Sequence, residues 1–254
     1  MSDIKVIVAT HKNYWMPADS IYFPIHVGRE GKSDLGYQGD NTGDNISSKN
    51  ANYCELTGLY WAWKNLKADY LGLAHYRRHF TTKSSKGSKE ERVITKAQLE
   101  TLFKDTDILL PNPRNYYIET NYSQYVHAHH KEDLDYTRDI IQEKYPKYIK
   151  AYDESMKRTT GHRFNMFIMK RNKFDAYCEW LFDILFELEK RLDISTYNKN
   201  DARVFGFVSE RLLDVWIETN GYTYKNLPYI FMEKQNWFVK GTNFIKRKLF
   251  RAKK

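Results

Sequence analysis

The stretch Asp40 to Phe80, DNTGDNISSKNANYCELTGLYWAWKNLKADYLGLAHYRRHF, limits the folds open to this chain more than any other. A polar Gly/Asn/Ser loop runs into a helical pattern in which Leu56, Leu59, Tyr60, Trp63 and Leu66 share one face. A short turn follows, then the continuous apolar run Tyr70 to Ala74. A helix leading into a strand apolar on both faces is the repeating unit of an α/β sheet covered on both sides. Gly72 inside that run predicts close approach of another backbone or of a ligand. The run ends in His75-Tyr76-Arg77-Arg78. In open α/β sheets ligands gather at the carboxyl ends of strands, and paired guanidinium groups there suit a polyanion such as a diphosphate.

The rest of the chain extends this pattern. Lys5 to Thr10 (KVIVAT) reads as a first, central strand, and Thr10, His11 and Lys12 at its end stand where a base and ribose would meet the protein. Residues 21–27 form a second extended run, which Pro24 demotes to an edge or irregular strand. Residues 28–50 form a long loop. At its end Asn45, Ser47, Lys49 and Asn50 are candidate phosphate donors at a helix start, and Asn52-x-x-Glu55 has the spacing of a capping pair. Residues 96–104 read as a helix and Ile108 to Leu110 as a strand stopped by Pro111. Asp105-Thr106-Asp107 has the form of a metal-binding DxD, but it precedes its strand, so it reads as a loop and helix end.

The second half is richer in aromatic and amide side chains. In Arg114 to Tyr125, Tyr116, Tyr117 and Glu119 suit a sugar pocket, with rings for pyranose or furanose faces and polar groups for hydroxyls. His127, His129 and His130 lack the i, i+4 spacing of a helical zinc site and read as a polar helix start. A helix is expected over 135–152, a turn and strand over 160–169 with His162, Arg163 and Asn165, and a helix over 174–192. The segment 201–216 is expected to change from extended to helical near Ser209-Glu210. Glu210 in a first turn is favoured by the helix dipole alone, and it is also a candidate general base, with Arg211 beside it.

Composition narrows the partners. The 41 basic and 32 acidic side chains leave a formal charge of +9, which favours anionic ligands. Trp237 to Lys254 holds seven basic residues and no acidic one, interleaved with Phe244, Ile245, Leu249 and Phe250; that pattern suits adsorption to anionic lipid. Cys54 and Cys178 are far apart in apolar surroundings and read as free thiols of a reducing compartment. With no leader-like N-terminus and no run able to span a bilayer, the expected location is the cytoplasm, peripheral to the inner membrane face. A nucleic-acid-binding protein is an alternative that the charge permits, but no recognisable motif supports it.

Five segments carry a resemblance: TGDNISSKNANYCELTGLYWAWKN, YLGLAHYRRHF, RNYYIETNYSQY, GHRFNMFIMKR and ARVFGFVSERLLDVW, in this order. From about Lys5 to Met232 the chain resembles a bacterial family of capsular-polysaccharide and O-antigen glycosyltransferases, formerly a domain of unknown function. The resemblance implies an α/β, GT-A-like (Rossmann-like) mixed sheet flanked by helices. It implies one glycosyltransferase domain over 1–236, with a donor half of about 1–110, an acceptor half of about 111–236, and a basic tail over 237–254. It further implies transfer of galactose or galactofuranose from a UDP-sugar to a lipid-linked oligosaccharide; inverting transfer is favoured over a retaining route. GT-A enzymes commonly hold a divalent cation with a DxD where this chain has His75-Tyr76-Arg77-Arg78, so the expectation is no metal and no cofactor, with fixed cations neutralising the diphosphate. Glu210 matches the family's SERL stretch and is the expected base.

Overall fold

The computed structural model describes residues 2–82 and 86–233. The expected tail, 237–254, lies outside the described residues. The strands are β1 (Ile4–Thr10), β2 (Tyr22–His26), β3 (Gln38–Gly39), β4 (Tyr70–His75), β5 (Arg78–Phe80), β6 (Ile108–Pro111), β7 (Arg114–Asn115), β8 (Thr160–Gly161), β9 (Phe167–Lys170), β10 (Lys225–Leu227) and β11 (Tyr229–Phe231). The helices are α1 (Asn50–Tyr53), α2 (Leu56–Asn65), α3 (Lys96–Leu102), α4 (Asn121–Val126), α5 (Lys131–Lys144), α6 (Ile149–Lys157), α7 (Arg171–Arg191) and α8 (Val204–Thr219).

One mixed sheet runs in the order β10-β6-β9-β4-β1-β2-β3, and β5 and β11 are added where β4 turns back. β1 pairs in parallel with β2 and β4, while β9 is antiparallel to both β4 and β6. β1 shows why its sequence is continuously apolar. Ile7 and Ala9 enter one hydrophobic cluster and Ile4, Val6 and Val8 enter the other, so helices or loops cover both faces. β4 divides likewise, with Leu71 and Leu73 on one side and Tyr70 and Ala74 on the other. β3 reaches only Ile25 and His26, so β2 behaves as an edge at Pro24, as that proline predicts.

Gly72 meets a backbone, as expected. A Cβ placed there would lie 2.6 Å from the carbonyl oxygen of Phe167 and 2.7 Å from Ile168 Cγ1, inside the β4–β9 ladder. Neither neighbour can withdraw without opening the centre of the sheet. Gly72→Ala is therefore expected to cost about 2–3 kcal/mol by overpacking, read as a lower urea midpoint at unchanged slope.

Three local expectations are corrected. The helix near Glu55 is two pieces, because Cys54 takes a left-handed backbone (φ 54°) between α1 and α2. Glu55 makes no cap bond; its carboxylate goes elsewhere. The span 135–152 is broken at Pro146 into α5, a short 3₁₀ turn and α6, since proline cannot continue the ladder. Residues 204–219 are helical throughout, so Glu210 lies in the interior of α8 and not in its first turn. That helix is buried on most of its circumference, which removes the polar stripe that would have marked its period.

Candidate active site

A cavity of about 320 Å³ opens at the carboxyl edge of β4, under the hairpin that joins β4 to β5. Five guanidinium groups line it: Arg77 from the turn, Arg78 from β5, Arg114 from β7, Arg203 from the residue just before α8, and Arg211 from the middle of α8. The lining includes two carboxylates, Glu55 and Glu210, so the formal charge of these seven groups is strongly positive. Arg203, Phe207, Glu210 and Arg211 recur at three- and four-residue spacing, which places them on one face of the helical run.

The hairpin fixes the cationic end. The Arg77 backbone N–H donates to His75 Nδ1 at 3.3 Å, so the neutral ring carries its proton on Nε2. Burial, then Arg78 and Arg77, hold the His75 pKa down to about 2, so it brings a neutral donor to the cavity and the arginines bring the charge. Arg77 NH1 lies 3.7 Å from Glu233. Arg78 is half-buried with its guanidinium carbon 4.1 Å above the Phe164 ring, and among the described residues it has no carboxylate within ion-pair distance. Burial lowers its pKa, opposed by Glu210 and Glu55.

The two carboxylates are held differently. Asn165 Nδ2 donates to Glu55 Oε1 at 2.8 Å and to the Gly206 carbonyl at 3.2 Å, while its own oxygen accepts from Ser209 Oγ at 2.9 Å. Glu210 Oε2 lies 3.3 Å from Arg211 NH1, whose NH2 donates to Gln124 at 2.8 Å. Among the described residues four that are not glycine have left-handed backbone: Cys54, Tyr117, Phe164 and Asn165. Cys54 and Phe164 line the cavity, Asn165 grips Glu55, and Tyr117 follows the lining Tyr116. Backbone conformations of this kind recur at active sites, where the surrounding structure holds them.

Of the residues singled out in the sequence, His75, Arg77, Arg78, Tyr116, Glu210 and Arg211 come together in the lining. Tyr76 packs beside them, its ring 4.4 Å from His75 and 5.4 Å from His11, with Lys12 Nζ 5.1 Å above it. Thr10 is buried and donates to the Lys12 carbonyl at 2.6 Å. The group before the helix does not reach the cavity. Ser47 donates to Asp40, Lys49 pairs with Glu189 at 2.6 Å, Asn50 donates to the Cys54 carbonyl at 2.7 Å, and Asn45 donates to the Gly43 carbonyl at 2.9 Å. These side chains tie down the loop.

Other candidates also lie outside the lining. Tyr117 is 80% exposed and Glu119 lies 2.6 Å from His127 Nδ1. His162 is buried, bonded to Asp214 and, at 2.9 Å, to Asn226. Arg163 is buried with NH1 on the His162 carbonyl at 2.6 Å and on the Glu210 carbonyl at 3.1 Å, which supports the wall from behind. Glu55, Arg114 and Arg203 were not expected here. Glu55 carried only a helix-start signal, and the two arginines lie in segments, 114–125 and 201–216, in which other residues drew the reading. Among the described residues no three His, Cys, Asp or Glu side chains converge as a metal site, and Asp107 is engaged by Lys173 at 2.8 Å and Lys170 at 3.7 Å. Among the same residues no helix is long and apolar enough to cross a membrane.

The neutral imidazoles carry a pH consequence. An unfolded histidine takes a proton near about pH 6.5, whereas His75 resists until about 2 and His79, buried one strand residue beyond Arg78, until about 4. The unfolded chain thus binds more protons below the unfolded value, and stability is present above it and lost as pH falls. His75 alone contributes at most about 1.4 kcal/mol per pH unit. The urea midpoint is expected to drop between about pH 7.5 and about pH 5, and to drop less in His75→Asn.

Residues 5–221 match the family model described as a domain of unknown function, DUF4422. Among solved structures, the apo WbbM bifunctional glycosyltransferase superposes with a TM-score of 0.85 at 31% identity, over 91% of this chain and 46% of that one. The chain therefore spans about half the length of that protein. None of the curated proteins compared is significantly similar. The central mixed sheet flanked by helices is the GT-A-like fold expected from the sequence.

Proposed function

The chain belongs to the DUF4422 family, and from the arginine-lined cavity at its sheet edge we propose that it is a glycosyltransferase of surface-polysaccharide synthesis. The observation that carries the reading is the set of five guanidinium groups facing two carboxylates in a space of about 320 Å³. Such a site neutralises a diphosphate and still leaves a proton acceptor for a hydroxyl. The similarity to a bifunctional glycosyltransferase supports the same chemistry.

In this reading the donor is a nucleoside-diphosphate sugar, UDP-galactose or its furanose form. Arg77 and Arg78, with His75 Nε2–H, receive the diphosphate, and Thr10, His11, Lys12 and Tyr76 flank the nucleoside. Tyr116 and the exposed Tyr117 face the sugar and the acceptor, a lipid-linked oligosaccharide. A cavity carboxylate takes the acceptor's proton in a single inverting displacement, and the sequence puts Glu210 forward for this. In this reading the guanidinium groups take over the charge neutralisation that a divalent cation would supply, and transfer is metal-independent. The basic segment 237–254 would hold the protein at an anionic membrane surface.

The test is a thermal-shift and transfer screen of UDP-sugars, UDP-galactofuranose included, with and without manganese or a chelator. Stabilisation by one UDP-sugar, and transfer that survives chelation, is the expected result. Strict recovery with manganese would sink the metal-free part, and no response to any nucleotide sugar would sink the whole. The anomeric configuration of the product separates inversion from retention.

A further inference from the structure

The cavity holds two carboxylates, and their surroundings divide the work between them. We propose that Glu55 is the catalytic base that accepts the acceptor's proton, and that Glu210 is a positioning residue that holds Arg211 in the cavity wall. The assignment rests on the glycosyl-transfer reading of this site.

Three observations carry it. First, Glu210 Oε2 is engaged by a cation, Arg211 NH1, at 3.3 Å. Among the described residues Glu55 has no cation within ion-pair distance; its one side-chain partner is the neutral amide of Asn165, at 2.8 Å. A carboxylate held by a guanidinium is committed to that partner, whereas an amide donor orients a carboxylate without taking its charge. Second, the grip on Glu55 is built at a cost. Cys54 on one side of it and Asn165 opposite both hold left-handed backbone, at φ 54° and 53°. The Gly206 carbonyl, which can only accept, takes a hydrogen bond from the same Asn165 amide at 3.2 Å, so the nitrogen is the atom presented to Glu55. A helix cap would need none of this. Third, α2 begins at Leu56, so Glu55 sits at the rigid start of a helix whose Leu56, Leu59 and Ala62 are fully buried.

The charge environment agrees. Burial raises the Glu55 pKa and Glu210 adds to that, while Asn165 and Arg78 oppose it. A carboxylate in that balance is a stronger base once ionised than a solvated one. In the reaction the acceptor O–H bond breaks and its proton passes to a Glu55 oxygen. The freed electron pair forms the new bond to the anomeric carbon. The bond from that carbon to the diphosphate oxygen breaks, its pair leaves on the diphosphate, and the arginines balance the charge. Glu55 later releases its proton to water.

The experiment compares Glu55→Gln and Glu210→Gln with the wild type in single-turnover transfer, alongside UDP affinity and melting temperature. Glu55→Gln is expected to lose about 10³-fold in rate while UDP affinity stays within about threefold. Glu210→Gln is expected to lose about tenfold or less, with part of the loss in acceptor KM. Formate added to Glu55→Ala should restore measurable transfer, a result that a misfolded variant cannot give. A Glu55→Gln rate within about tenfold of wild type, or the larger loss falling on Glu210→Gln, overturns the assignment and leaves the glycosyl-transfer reading standing. A wild-type chain that neither binds UDP nor transfers sugar overturns both.

Discussion

Arg78→Ala is expected to lower kcat/KM for sugar transfer by about 10²–10³-fold, with the melting temperature close to wild type. The magnitude follows from where Arg78 stands. It is half-buried at the start of β5, one residue past the turn, with Phe164 and Phe231 rings 4.1 and 5.7 Å from its guanidinium carbon. The rings fix the planar group without satisfying its charge. Among the described residues no carboxylate comes within ion-pair distance, so the alanine variant strands no paired partner and the fold should tolerate it. What is lost is a pre-oriented fork for an anion, in a site where solvent screens little. Arg78→Lys keeps the charge but not the fork, so a smaller loss of about tenfold is expected. Steady-state kinetics on the three proteins, with melting curves alongside, separate loss of charge from loss of geometry. Near-wild-type transfer by Arg78→Ala would remove this residue from the leaving-group site.

Asp40→Ala is expected to cost about 3 kcal/mol or more of stability. For a chain of this size that corresponds to about 6–12 °C in Tm. Asp40 is fully buried at the end of β3 and accepts from four donors. The Gly28 and Arg29 N–H groups reach it at 2.7 and 3.0 Å, and the Ser47 and Thr57 hydroxyls complete the set. Removing the acceptor leaves those donors in a dry interior, which costs more than the bonds contribute while intact. The effect should also reach the cavity. Thr57 lies in the first turn of α2, and Asn50 bonds both Thr57 Oγ1 at 3.2 Å and the Cys54 carbonyl at 2.7 Å, so the same network seats Glu55. A coupled fall in Tm and transfer rate is the expected signature; hydrogen exchange over residues 28–58 reads the same loosening directly. A Tm within about 2 °C of wild type would show that water satisfies the orphaned donors.

The parts of the fold legible in the sequence are those where burial is uniform along the chain. β1 and β4 are apolar on both faces because both faces are covered, and Gly72 is glycine because a carbonyl occupies the space of its Cβ. The Arg77-Arg78 pair was legible for a positional reason, since it ends such a strand. The site was less legible where a residue's role depends on a distant partner. Glu55 meets Asn165, far along the sequence, and its local spacing resembles a cap; Arg114 and Arg203 join the cavity through the path of the chain alone. Ser47, Lys49 and Asn50 mislead in the opposite way. Their composition suits phosphate, yet Asp40, Glu189 and the Cys54 carbonyl already use their donors. The start of α8 is not legible in the sequence, because a helix buried nearly all round shows no amphipathic period.

The most direct test of the central claim, that fixed arginines at the β4–β5 turn seat the diphosphate, is an experimental structure of the chain with UDP bound. The predicted result is a pyrophosphate with oxygens about 3 Å from the guanidinium nitrogens of Arg77 and Arg78, inside the cavity that Glu55 and Glu210 share. A pyrophosphate bound away from that turn would contradict it.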